Sequence, residues 1–134
     1  IPNPDGVVER EMVDAGLVTR DEIAGFTKGK DITWRDMIWT RAAVHILKTR
    51  RPNLLLFHPL TTDSTNHRYG PGTTASFAAY AYADSMVAEL LRAIDIAGMK
   101  DRTTVIIATD HGFKKVEKVV LPNVALRKAG RVRT

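Results

Sequence analysis

The chain has 134 residues, enough for one domain or a large part of one, and its 44% hydrophobic content is that of a globular protein. It has no cysteine, which excludes disulfides and thiolate metal sites and leaves carboxylate oxygen and imidazole nitrogen as ligands for any metal. No apolar run approaches the ~20 residues of a membrane-spanning helix. The net charge of +5 owes much to Lys114, Lys115, Lys118, Arg127, Lys128, Arg131 and Arg133. A basic tail of this kind suits nucleic acid or an acidic membrane. No RNA-binding aromatic signature or zinc finger accompanies it, so the expectation is a solvated surface with no specific nucleic-acid partner.

Residues 1–32 read as an irregular lead-in, polar and broken by Pro2, Pro4, Gly6, Gly16, Gly25 and Gly29. Val7 to Ala15 predicts a short helix ending at Gly16, and Asp21 to Ala24 starts another turn. Residues 33–134 predict a partial α/β domain. Thr33 is a good N-cap for a helix reaching about Thr49, with Asp36 where a capping box places an acid. Trp34, Met37, Ile38, Ala42 and Leu47 give that helix a rough apolar stripe. Lys48, Arg50 and Arg51 crowd its C-terminal end, where the dipole favours cations, and Pro52 stops it.

Asn53 to His58 is a short apolar run bounded by prolines and predicts a buried strand. Residues 60–74 read as a polar loop closed by Gly70-Pro71-Gly72. A long helix follows from about Thr74 to Ala97, with Phe77, Tyr80, Val87, Leu91 and Ile94 on one face and Gly98 after its end. Thr103 to Thr109 predicts a second, β-branched strand. Two strands joined by a helical crossover should be parallel and right-handed, which predicts a three-layer α/β/α architecture around a mostly parallel sheet.

Ligands of such sheets bind beyond the C-terminal ends of the strands. Asp63 and His67 follow the first strand there, and Asp110 and His111 follow the second. Carboxylate with neutral imidazole suits zinc and similar divalent ions. The four-residue spacing lets Asp63 and His67 meet one ion if the segment makes a helical turn. Gly112 permits the sharp turn that lets Asp110 and His111 share another. Each pair alone also fits a turn cap or a surface histidine; the pairing at equivalent places favours ligands.

The residues from His58-Pro59-Leu60 through Asp63-Ser64-Thr65-Asn66-His67-Arg68-Tyr69-Gly70-Pro71 resemble the Asp-x-x-x-His-x-x-Gly-Pro block of the type I phosphodiesterase/nucleotide pyrophosphatase family, in the alkaline phosphatase superfamily. Val105 to Phe113 is similar to its hydrophobic strand ending in Asp-His-Gly. Arg51 to Leu56, Gly98 to Thr103 and Pro122 to Gly130 also fit, so the resemblance spans about residues 33–130. It implies an alkaline-phosphatase-like core and a catalytic role for residues 33–134. It implies two divalent ions, zinc or manganese, one on Asp63 and His67 and the other on Asp110 and His111. It implies hydrolysis of a phosphodiester or pyrophosphate bond of a nucleotide-like small molecule by metal-assisted transfer to a Thr or Ser hydroxyl. An extracytoplasmic setting goes with it.

The chain departs from that pattern. Before residue 33 there is no Asp-Gly block with a nucleophile, and after Gly112 there is no third histidine block. Asn66 stands where many members have Gly. Thr61, Thr62 and Ser64 are not at the nucleophile position. The chain therefore reads as an internal piece of a larger enzyme, with four of six metal ligands, no catalytic nucleophile, and the rest of the parent chain as its partner; alone, it is expected to be inactive. His45 is expected on a helix face and His58 behind the ligands. The competing readings are a non-enzymatic α/β binding module docking through its basic tail, and a sulfatase or phosphatase of the same superfamily.

Overall fold

The computed structural model describes residues 2–26, 28 and 31–132; Gly29, expected to break the lead-in, and Arg133 of the basic tail lie outside the described residues. The described chain is helical. Its elements are α1 (Val7–Asp14), α2 (Arg20–Ala24), α3 (Ile32–Arg50), α4 (Thr61–Tyr69), α5 (Thr74–Ile96), a 3₁₀ turn at Lys100–Arg102, and α6 (Pro122–Lys128). No helix among the described residues is long and apolar enough to cross a membrane.

Helix α3 organises the molecule. Asp31, rather than Thr33, caps it: its side chain accepts the Trp34 amide at 2.8 Å. Both residue types cap well, and the earlier one lets two more residues join the helix. Asp36 thereby leaves the capping-box position. At the other end Arg51 takes a left-handed conformation, φ 46°, because the following Pro52 disfavours the right-handed helical one. One side of α3 packs Ile38, with Trp34, Met37, Trp39 and Ala42, against Met12 of α1, Val18, Ile23 of α2, and Phe26. Another side buries Asp36, Thr40, Ala43 and Leu47, at spacings of four, three and four. Leu47 joins Ala93, Ala97 and Met99, backed by Leu55, Leu90 and Ile94. Two buried sides explain why no single apolar stripe described this helix well.

Helix α5 packs against both α3 and α4. Its extent matches the expectation, but its buried face does not. Ser76, Ala79, Met86 and Ala93 are the buried positions, whereas Phe77 is 64% exposed and Tyr80 and Leu91 are also exposed. Mostly small side chains let neighbouring helices approach closely, and the large rings are left on the outer side.

The expected three-layer α/β/α core is overturned, because no strand is present among the described residues. The segments 53–59 and 103–109 carry the β-branched and apolar residues that prompted the expectation. A ladder, however, needs neighbouring backbones about 4.8 Å apart. These two segments instead border one cleft of about 590 Å³, also lined by Leu47, Leu90 and Met99, and no ladder joins them. Their side chains are largely bare, with Leu56 84% and Ile106 83% exposed. Residues 60–74 differ from expectation in the opposite sense: most of the supposed polar loop is α4.

Candidate metal centre

Helix α4 is unusually polar, Thr-Thr-Asp-Ser-Thr-Asn-His-Arg-Tyr, and cannot be held by apolar burial. Buried hydrogen bonds fix it at both ends. At its start, the N-cap Leu60 has no side chain to offer. The carboxylate of Asp36, reaching across from α3, accepts the Leu60 amide at 2.8 Å, the Thr61 amide at 2.7 Å and the Thr61 hydroxyl at 2.7 Å. Near its end, the Asn66 amide group donates to the Thr62 carbonyl at 2.7 Å, and its Oδ1 accepts from the Ser76 hydroxyl of α5 at 2.8 Å. Asn66, the residue that departs from the resembled Gly, is thus a buried tie between helices. Gly70, at φ 81° and ψ 159°, closes the helix in a conformation that other residues avoid. Thr73 then caps α5.

A helical α4 puts Asp63 and His67 one turn apart on one side. The Nε2 of His67 lies 3.3 Å from Oδ1 of Asp63. The Nε2 of His111 lies 3.5 Å from that same oxygen. Single ligand atoms of Asp63, His67 and His111 all fall within 4.8 Å of one another. Nitrogen and oxygen atoms about 2.0–2.1 Å from a tetrahedral zinc stand about 3.3–3.4 Å apart, so the Asp63 separations fit such an ion. One carboxylate with two imidazoles also has the right chemistry for it.

Asp110 stands at the edge of this group. Its Oδ2 is 3.8 Å from Nε2 of His111, and its side chain is 76% exposed. Its carboxyl is held below the usual carboxylate range, first by a hydrogen bond from its own backbone amide and against a smaller desolvation. The charge of His111, the His111 amide and the charge of His58 act in the same sense. The structure brings together three of the four expected ligands and leaves the fourth adjacent; the grouping crosses the expected division into two pairs, because His111 faces Asp63.

Phe113 is the site residue that the sequence reading passed over. Its ring meets the ring of His67 edge-on at 5.1 Å and that of His111 at 5.0 Å. The two imidazoles are themselves edge-on at 5.9 Å. The three rings thus form one edge-to-face cluster, an arrangement that aromatic pairs prefer. Its position directly after Asp110-His111-Gly112, where an apolar residue enters a polar stretch, was the available signal. His45 lies apart from the site, bonded to Glu11 of α1 at 3.0 Å.

Helix α4 and the segment after Thr109 thus bring one carboxylate and two imidazoles to a single point, a group that could hold a metal ion. The family model for type I phosphodiesterase / nucleotide pyrophosphatase matches residues 12–134, and the chain belongs to that family. No curated protein and no solved structure matches it.

Proposed function

We propose that the chain carries metal ligands of a phosphodiesterase or nucleotide pyrophosphatase that cleaves phosphodiester or pyrophosphate bonds of a nucleotide-like substrate. The observation behind this reading is the convergence of Asp63, His67 and His111 within 4.8 Å, in a chain of that hydrolase family. Zinc, with manganese as the competitor, would be held by these three side chains, with Asp110 beside them as the start of a second site. When bound, such ions neutralise phosphoryl charge and activate oxygen nucleophiles. The chain's own residues supply the rest: Asp63 offers its charge to both histidines, Phe113 packs edge-on against their rings, and α4 holds the Asp63–His67 spacing. The nucleophile would be a Thr or Ser hydroxyl from outside these 134 residues.

Calorimetric titration tests the reading. The chain is expected to bind zinc, and Asp63→Ala to abolish the signal. Absence of zinc and manganese binding by the protein carrying this chain would sink it. Turnover of a bis-aryl phosphodiester by residues 1–134 alone is expected to be negligible; robust turnover that survives chelation would contradict the placement of the nucleophile.

A further inference from the structure

Asp36 sits on α3, 24–25 residues before the groups it binds, and is 0% exposed. A carboxylate taken out of water is costly unless donors fill its lone pairs. Here every donor comes from the first residues of α4. Oδ2 takes the Leu60 amide, the Thr61 amide and the Thr61 hydroxyl at 2.7–2.8 Å, and Oδ1 shares the Leu60 amide at 3.0 Å. Amides at the start of a helix have no intrahelical carbonyl, and the helix dipole favours a negative group beside them. Asp36 thus does from another helix what a capping residue does from within the chain.

Two residues beyond Thr61 comes Asp63, the oxygen that both histidines face. We propose that Asp36 is the positioning residue of the metal centre: by fixing Leu60 and Thr61 it sets the placement of α4, and so brings Asp63 to His111. The inference rests on the metal-centre reading above. Metal–ligand bonds tolerate displacements of only about 0.2 Å. A polar nine-residue helix released at its start keeps its tie at Asn66 but loses the bonds that hold its Asp63 end. The Thr40 hydroxyl supplies the contrast: it is buried and bonds the Asp36 carbonyl at 2.7 Å, within α3 rather than across to α4.

Zinc calorimetry on the full chain, at conditions where each variant is folded by circular dichroism, tests the proposal. Asp36→Ala is expected to weaken zinc roughly 10–100-fold, the range typical of groups that orient metal ligands. Asp36→Asn keeps one acceptor oxygen in the same shape and is expected to recover part of that loss. Thr40→Val is expected to lower the denaturation midpoint with zinc affinity unchanged. If Asp36→Ala does not fold, Asp36→Asn and Thr61→Ala decide, each expected to weaken zinc about three- to tenfold, with faster amide exchange at Leu60 and Thr61. Folded Asp36→Asn and Thr61→Ala proteins that bind zinc as the parent does would overturn the positioning role and leave the metal centre standing. A parent that binds no zinc would instead remove the metal centre, and the inference with it.

Discussion

Asp63 and His67 belong to a helix whose Thr61 and Asn66 are buried and hydrogen-bonded to α3 and α5. Asp110 and His111 belong to a stretch, residues 101–132, in which every side chain but Phe113 is exposed. The local bonds of that stretch are short-range: Thr109 to the His111 carbonyl, and the His111 amide to the Asp110 carboxylate. The difference teaches that the two halves of the candidate site are prepared by different means. The α4 half is set by buried polar bonds before any ion arrives. The other half opens at low cost, since few buried contacts hold it, and a shared ion would be its main anchor.

The largest expected effect separates the halves. Asp63 serves both histidines, so Asp63→Ala should lower zinc affinity beyond about 100-fold, more than the loss of an orienting group, whereas His111→Ala should leave a weaker α4 chelate, down about 10–100-fold. Equal losses in calorimetry would break the asymmetry. Next comes Phe113→Ala, which removes the ring packed against both imidazoles and should weaken zinc about three- to tenfold, with protein stability unchanged within about 0.5 kcal/mol because the residue lies outside both buried clusters.

The α4 half should show itself in stability instead. Ser76→Ala leaves the buried Asn66 oxygen without its donor, at a cost of about 1–3 kcal/mol in urea denaturation. A value near zero would mean that α4 is not tied to α5 as described.

The smallest effect concerns the contact between α1 and α3. Glu11 of α1 is held below the usual carboxylate range, first by its hydrogen bond to His45 and then by that to Arg50. A folded value below the unfolded one stabilises the protein above the ordinary carboxylate range, and that contribution is lost as pH falls through the folded value. Thermal stability followed on acidification should therefore fall less steeply for Glu11→Gln than for the parent, with zinc affinity at neutral pH unaltered. An identical pH profile would contradict this.

Helices α1, α2, α3 and α5 are legible in the sequence, whereas α4 reads there as a polar loop, α6 is not anticipated, and the expected sheet is absent among the described residues. Thr74–Ile96 was read almost to the residue because a long run of helix formers ends at a glycine, Gly98, with φ 68°. The segments 53–59 and 103–109 have strand composition, but a strand is a property of two chains side by side, and composition cannot provide the partner. The inner face of α5 was misplaced because a search for large apolar residues overlooks Ser76, Ala79 and Ala93. Asp36 was misread for a related reason: a local cap and a cap donated to another helix look alike until residues 24 positions apart are seen together. The approach of Asp63 and His67 is legible only on the condition that their segment is helical, as α4 makes it; the approach of His111 to Asp63 is a long-range fact.

The most direct test of the central claim, that Asp63, His67 and His111 converge on one ion, is X-ray absorption spectroscopy of the zinc-loaded chain at one equivalent. The account predicts a shell of oxygen and nitrogen at about 2.0–2.1 Å with the outer scattering of two imidazoles, falling to one in His111→Ala. A spectrum with no imidazole scattering, or one that His111→Ala leaves unchanged, would contradict it.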